Sequence, residues 1–532
     1  MKHNKTEIIC IVCMILLGIV MILALIWFMM PGGGNQNTAS TAETGESGGL
    51  IEPEDFLPQN LREGDRPEAE FTDVQGKKYQ LSAYRGQPVV LICFASWCSY
   101  CHEQLESAAE LGNAAQKYGA KVILIDRYNT QKEKAENAVA EQQELAPDWD
   151  LLFDRDEKIY HQWGLQLIPT MIFLDSNGYV RKCAADVQSA EDFAGYLDAT
   201  VNGRTAAPEK FLKNRMTAKD GGIYTNIRNG SDVPDGKDVL SESQGLIMLS
   251  AVYENDQQTF DMAWNYVRNH LMKNGLPPWY IQADGTPAQM DAALDDLRIW
   301  EALNLAGDKW GGYEEQKALA ENIYQNLTEN GKLVDYYDQE NHSKAETLSL
   351  PYADISLLAG MEKEKSGFKA VSENALRTVQ KGYISDSFPL YYSSYDYAAG
   401  KYSDDDLNMA EALYTLWNLS KAGQLRKESL QWLRTQVENG TLAARYHVDG
   451  TVVSGYAYHS TACYAIAALI AQNEQDKELY STCTYRMEQM RVWNVSSTCY
   501  GGFGTEESSD FPSFDQLMPL LLYTFTEQNS GS

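Results

Sequence analysis

The sequence predicts a multidomain chain: an apolar transmembrane helix, then an α/β unit, then an all-α unit. Three observations carry this. Ile8 to Met30 is a run without charge and almost wholly apolar. Between Pro88 and Lys182, short apolar strands alternate with helical stretches. Beyond Gly203 the strand pattern stops and amphipathic helical stretches follow in series. A length of 532 residues fits this division, being too long for one ordinary core.

The 23 apolar residues, at about 1.5 Å each, reach about 34 Å, enough for a bilayer core of about 30 Å. Lys2 and Lys5 precede the run, and no Lys or Arg follows until Arg62, which predicts a cytoplasmic N-terminus and everything later outside the cell membrane. The run is long for a signal-peptide core and lacks a small-x-small site at its end. Residues 1–30 therefore read as a single-pass anchor, and the Gly/Ser/Thr-rich residues 31–51 as a flexible tether. A formal charge of −30 repels phosphate backbones and argues against nucleic acid as a partner.

Residues 52–203 form the predicted α/β unit. Pro88–Phe94 and Lys121–Asp126 read as buried strands, and Trp149–Phe153 as an edge strand. Met171–Asp175 and Gly178–Lys182 flank a Ser-Asn-Gly turn and read as a hairpin, while 102–118 and 130–143 have helical spacing. Alternating strands and helices imply a three-layer α/β unit. The chemistry lies where the first strand runs into Trp97-Cys98-Ser99-Tyr100-Cys101. A helix N-terminus favours a thiolate at Cys98, and Cys101 lies nearly one turn on, placed to close a disulfide. Zinc would need two further ligands, and the sequence holds no second pair at ligand spacing, so no metal or cofactor is expected. A structural disulfide is the remaining alternative.

The FASWCSYC segment, Leu167-Ile168-Pro169-Thr170 and the following FLDSNG turn occur in that order. In these features residues 70–200 resemble the membrane-tethered thioredoxin-like family of the TlpA type. The resemblance implies Cys98 as attacking nucleophile, Cys101 as resolving thiol and Pro169 as the cis-proline beside them, with a protein thiol or disulfide as partner. Two positions depart from that family: Ile92 stands where many thioredoxins carry a buried acid, and Gln104 where the tethered family often has Glu.

Residues 208–528 contain eleven helical stretches: 242–254, 258–271, 290–305, 312–328, 350–362, 367–380, 405–422, 426–438, 457–473, 475–491 and 513–527. That number is close to the twelve of six stacked hairpins, and no strict repeat accompanies it, so a toroid of paired helices fits better than a solenoid. The SESQGLIM segment opens the first stretch, and Asp295-Asp296-Leu297-Arg298-Ile299 lies in the third. Taken alone, Glu242 reads as a first-turn acid favoured by the helix dipole.

This order resembles glycoside hydrolase family 8, whose (α/α)6 barrels cleave β-linked polysaccharides. The resemblance implies Glu242 as general acid, Asp296 as the carboxylate gripping the sugar, and Asp396, in Ser394-Tyr395-Asp396-Tyr397-Ala398, as general base ahead of Asp406. It departs at Ser243, Leu246, Ile247, Leu294 and Arg298. Trp279, Tyr280, Trp300, Trp310, Tyr392 and Tyr395 are the aromatic candidates for sugar-stacking walls. The expected function is a membrane-anchored, extracytoplasmic protein joining thiol–disulfide exchange to inverting hydrolysis of a β-linked polysaccharide. The competing expectation is a redox protein whose degenerate helical domain only binds cell-surface glycan.

Overall fold

The computed structural model describes residues 57–129, 134–228 and 236–530. The anchor and tether expected at 1–30 and 31–51 lie outside the described residues. Among those described, no helix is long and apolar enough to cross a membrane.

Seven strands build one sheet: β1 (Glu70–Thr72), β2 (Lys78–Gln80), β3 (Val89–Phe94), β4 (Lys121–Asp126), β5 (Asp150–Phe153), β6 (Thr170–Leu174) and β7 (Val180–Ala185). Their order is β2-β1-β5-β4-β3-β6-β7. The β3–β4 and β4–β5 pairs are parallel, whereas β3–β6 and β6–β7 are antiparallel. β3 and β6 are buried along their whole length, as near-continuous apolar runs require when both faces of a sheet are covered. β5 is not the edge: the β1–β2 hairpin adds beyond it through Thr72 opposite Phe153. That hairpin is only three residues a side and half exposed, too short and too polar to stand out as strand.

The sheet's residues alternate between two cores. On one face Val90, Ile92 and Phe94 pack with helices α1 (Ser99–Glu106), α2 (Ala108–Lys117), α3 (Ala135–Leu145) and α5 (Ala190–Asn202). On the other, Leu91 and Cys93 meet Leu81 and the Ile159, Tyr160 and Trp163 side chains of α4 (Lys158–Trp163). The β6–β7 turn closes through the Asp175 carboxylate, which accepts from the Asn177 and Tyr179 N–H groups. Gly178 takes the positive φ of +86° that this turn needs.

After α6 (Ala206–Phe211), every stretch predicted helical forms a helix: α7 (Ser241–Glu254), α8 (Gln257–Tyr266), α9 (Ala293–Trp310), α10 (Glu315–Asn326), α11 (Ile355–Gly360), α12 (Phe368–Lys381), α13 (Met409–Lys421), α14 (Lys427–Glu438), α15 (Thr461–Asn473), α16 (Lys477–Glu488) and α17 (Ser513–Ser530). α7 packs on α9 and α17, α13 on α11 and α15, and α15 on α17. The 3-10 turn Leu350–Tyr352 bridges α9 and α13 and closes this inner ring. α8, α10, α12 and α16 lie outside it, each against its preceding partner. Sequence explains the division. α15 is buried from Thr461 to Ala471 and apolar around its circumference, whereas α12 buries one stripe through Phe368, Val371, Ala375 and Val379.

Candidate functional site

Two sites emerge, one in each domain. In the first, β3 delivers the chain to Cys98, which is the N-cap of α1. The Cys101 N–H donates to the Cys98 sulfur at 3.4 Å, so the helix start is built around that sulfur. The Cys98 thiol in turn donates to the Ile168 carbonyl at 3.5 Å, beside the cis Ile168–Pro169 bond. Cys101 is fully buried, and that burial, then the adjoining Cys98, push its thiol pKa up. The residues predicted from sequence therefore meet: an accessible first sulfur, a sheltered second one and Pro169 alongside. Both cysteines are free thiols. Trp97 and Tyr100, 41% and 60% exposed, form an apolar rim around them.

Gln104 is completely buried and binds the strand-following loop at both ends. Its oxygen accepts from Gln188 N–H at 2.6 Å, and its amide donates to the Gln188 carbonyl at 3.1 Å. A glutamate could not make both bonds once ionised, which accounts for Gln at this position. Glu141 of α3 was not singled out from the sequence. It lies 3.0 Å from His102 Nδ1, and its charge adds to the upward shift at Cys101.

The second site is at the end of the inner ring where α7, α9 and α13 begin. Glu242 stands half-buried in the first turn of α7. Burial raises its carboxyl to about 7, with Arg298 pulling down and Asp295 and Glu411 pushing up. Asp295, in the first turn of α9, accepts from Ser241 Oγ at 2.6 Å and from Arg298 Nη1 at 3.0 Å. The second guanidinium nitrogen donates to Tyr414 OH at 3.0 Å. Gly245 permits this: a Cβ there would stand 3.1 Å from Arg298 Cδ. Gln244 holds the entry strand by accepting from Ile223 N–H at 2.9 Å.

The carboxyl facing Glu242 is thus Asp295, one residue before the predicted Asp296. Asp296 is fully buried and among the described residues neither of its oxygens is hydrogen-bonded; burial plus Asp291 and Asp295 raise its pKa well above the usual range. Successive helix residues point about 100° apart, so only one of the pair can face Glu242. Asp396 lies half-buried in a hairpin turn, where its Oδ1 accepts from the Ala398 and Ala399 N–H groups, both at 2.8 Å. Asp406 pairs with His447 at 2.5 Å.

Two other carboxyls missed in the sequence belong to this end. Glu411, in the first turn of α13, is half-buried, and burial raises its pKa to about 7. Arg445 opposes that rise and Asp335 adds to it. Asp335 accepts from Thr347 Oγ1 at 2.6 Å and from the Ser349 N–H. A first-turn acid on an inner helix, the position Glu242 already occupies, is the signal that would have found Glu411.

Of the aromatic candidates, Trp279 and Tyr280 sit beside the site, since the Trp279 carbonyl accepts from Ser241 N–H at 3.0 Å. Tyr392 and Tyr395 are half-buried in a cluster with Tyr402. Trp300 is only 2% exposed and is core. Trp310 ends α9, about 22 Å along the helix from Asp295, and packs on Phe260. Among the described residues, no group of three or more His, Cys, Asp or Glu is arranged to hold a metal ion.

A dithiol at a strand-to-helix turn and a carboxyl-lined ring end define two enzyme classes in one chain, thiol–disulfide oxidoreductase and glycosidase. Residues 64–183 match the AhpC/TSA family, and residues 196–336 match the glycosyl hydrolases family 8. The YdaJ protein of Bacillus subtilis is 26% identical over 372 residues, covering 67% of this chain and 96% of its own. The thiol-disulfide oxidoreductase ResA of Geobacillus thermodenitrificans is 26% identical over 137 residues, covering 25% of this chain and 74% of its own. Among solved structures, a novel alpha-amylase from Clostridium perfringens is 30% identical with a TM-score of 0.57, covering 60% of this chain and 97% of that one. The chain thus carries an AhpC/TSA-type, thioredoxin-like first folded domain and a second domain of the glycosyl hydrolase family 8 type.

Proposed function

We propose that the protein is held by its N-terminal apolar helix at the cell membrane, outside which the domains 52–203 and 208–528 act on a protein disulfide and a β-linked polysaccharide. The observation that carries the hydrolase reading is Glu242. It is a half-buried carboxyl with a pKa raised to about 7, so a large protonated fraction persists at neutral pH. In that state it donates its proton to the leaving glycosidic oxygen.

The (α/α)6 reading puts α7 and α13 on opposite sides of the ring, three positions apart. Glu411 therefore comes to the substrate from the wall facing Glu242, as an inverting base must if it activates water on the far side of the sugar. Its carboxyl accepts no hydrogen bond among the described residues, which leaves it free to take the water's proton. Asp295, fixed by Ser241 and Arg298, grips the sugar between them. In the redox domain Cys98 attacks the partner's disulfide, and Cys101 displaces the reduced partner from the mixed disulfide.

The direct test is turnover of a glycan panel by the full chain. Similarity to an alpha-amylase adds starch to the β-glucans, xylan and chitosan in that panel. Hydrolysis of a β-glycan with inversion at the anomeric carbon, lost in Glu242→Gln and Glu411→Gln but retained in Asp396→Asn, is expected. Cleavage of starch alone would replace the substrate, and retention of configuration would remove the mechanism. Arg298, which opposes protonation of Glu242, favours the second reading, a helical domain that binds glycan without cleaving it. Glycan binding without turnover would select that reading. Protease shaving of intact cells should release a nearly full-size fragment, whereas complete protection would overturn the topology.

A further inference from the structure

The two domains meet at a seam that forms an open cavity of about 200 Å³. Leu167, Lys182, Gln188 and Tyr196 line it from the redox side, Tyr485 and Trp493 from the helical side. The unusual member is Lys182. The residue is 5% exposed, yet among the described residues its ammonium has neither a hydrogen bond nor an ion pair. It rests between two rings, 5.3 Å from the centre of Tyr196 and 4.8 Å from that of Trp493. Ring faces attract a cation but supply no acceptor to its N–H donors, which are left to face the cavity.

Nearby acids do not fill the gap. Glu63 is paired with Arg204, and Glu488 with Arg491 and Tyr523. Asp186 lines the cavity from an exposed position, and its carboxylate accepts from the Val187 N–H. Desolvation accordingly lowers the pKa of Lys182. A carboxylate entering the cavity supplies the missing acceptor and counter-charge together.

Position decides which molecule brings that carboxylate. Leu167 of the lining directly precedes Ile168, whose carbonyl the Cys98 thiol touches at 3.5 Å. Gln188 of the lining is tied to Gln104 on the Cys98 helix. The cavity is smaller than the ~300–1,000 Å³ pockets that enclose whole small molecules, and suits one side chain. We propose that the seam receives an acidic side chain of the polypeptide whose disulfide reacts at Cys98, with Lys182 as its counter-ion. The inference rests on the redox reading above and adds that the helical domain, through Trp493 and Tyr485, helps to select the redox partner.

The test uses the full chain, reduced beforehand, and three disulfide-linked peptide dimers that differ only in carrying Glu, Gln or Lys two residues from the cysteine. Cys98 thiolate attacks the dimer and releases one peptide thiol. Cys101 then displaces the second, so two electrons pass to the peptide disulfide and the protein ends as its Cys98–Cys101 disulfide. The Glu dimer should react about 10-fold faster than the Gln dimer, one charge-assisted contact's worth, and the Lys dimer more slowly still. In Lys182→Met the Glu-to-Gln ratio should fall to about 1. Equal rates for Glu and Gln dimers in the unaltered protein overturn the proposal whether or not the variant folds, as does a ratio that survives Lys182→Met. Inhibition by oligogalacturonate with no Glu preference would make the seam a glycan site and likewise overturn it. Failure to react with every dimer would instead sink the redox reading.

Discussion

At Glu242, function and stability pull in opposite directions. Its folded pKa of about 7 lies above the ordinary 4.5, so the folded state binds the proton more tightly than the unfolded chain does. The stability this contributes is complete below pH 4.5 and is lost as pH rises through about 7. Glu242→Gln keeps the shape without ever ionising. It should raise the melting temperature relative to wild type at pH 8, with a smaller difference at pH 5, while lowering kcat roughly 10²–10⁴-fold. A variant that melts earlier at pH 8 would contradict the assigned burial. The rate profile follows from the same numbers. In the proposed mechanism Glu242 acts protonated and Glu411 ionised; both titrate at about 7, so the pair should give a bell in kcat/KM centred near pH 7. Arg298 lowers the Glu242 pKa, so Arg298→Met should move the alkaline limb upward; a fixed limb would assign it to another group. Little of this residue-level pattern was legible. The sequence shows two adjacent aspartates, but which one turns toward Glu242 depends on helix phase. Because α9 is apolar on several faces, periodicity does not define that phase.

Among elements, all eleven predicted helices were legible from their apolar spacing, and five of them also carry a capping side chain. Asp256, Asp354, Asn408, Ser460 and Asp476 each accept an N–H in the first turn of the helix that follows. What spacing could not reveal was which helices form the inner ring and that they start at one end. The first-turn acids Glu242, Asp295 and Glu411 are separated by up to 169 residues, and only closure of the ring gathers them. Close packing between α7 and α9 makes that gathering sensitive to a single methyl group. Gly245 faces Arg298 Cδ and Cγ at 3.1 and 3.2 Å from where a Cβ would stand, and Ile299 at 3.4 Å. Gly245→Val should displace the guanidinium from Asp295 and lower kcat at least 10-fold, with an alkaline shift of the rate profile like that of Arg298→Met. Gly245→Ala, which Arg298 can accommodate by a few tenths of an ångström, should do much less. Equal activity in both variants would show that Arg298 does not need this close approach.

For the molecule as a whole, the seam was invisible in the sequence because its residues are scattered and each has an ordinary surface character. Tyr196 meets Trp493 edge to face at 4.9 Å, Tyr500 OH donates to Asp198 at 2.7 Å, and Arg491 donates to the Arg204 carbonyl at 3.2 Å. The exposed Arg62–Glu478 pair adds at most about 1 kcal/mol, so packing rather than charge must hold the domains together. Gly195 tests this cleanly. It lies inside α5, where replacing Gly by Ala favours the helix by about 1 kcal/mol. A Cβ there would nevertheless stand 2.1 Å from the Trp493 carbonyl oxygen, a backbone atom that cannot swing aside. Propensity and packing thus predict opposite signs. If the seam is close-packed, Gly195→Ala should cost about 1–3 kcal/mol, lower the melting temperature of the redox domain by roughly 5 °C in calorimetry of the full chain, and speed proteolysis near Gly203. A raised melting temperature would mean that helix propensity won, that the domains touch without packing energy, and that the walls of the cavity around Lys182 are not fixed.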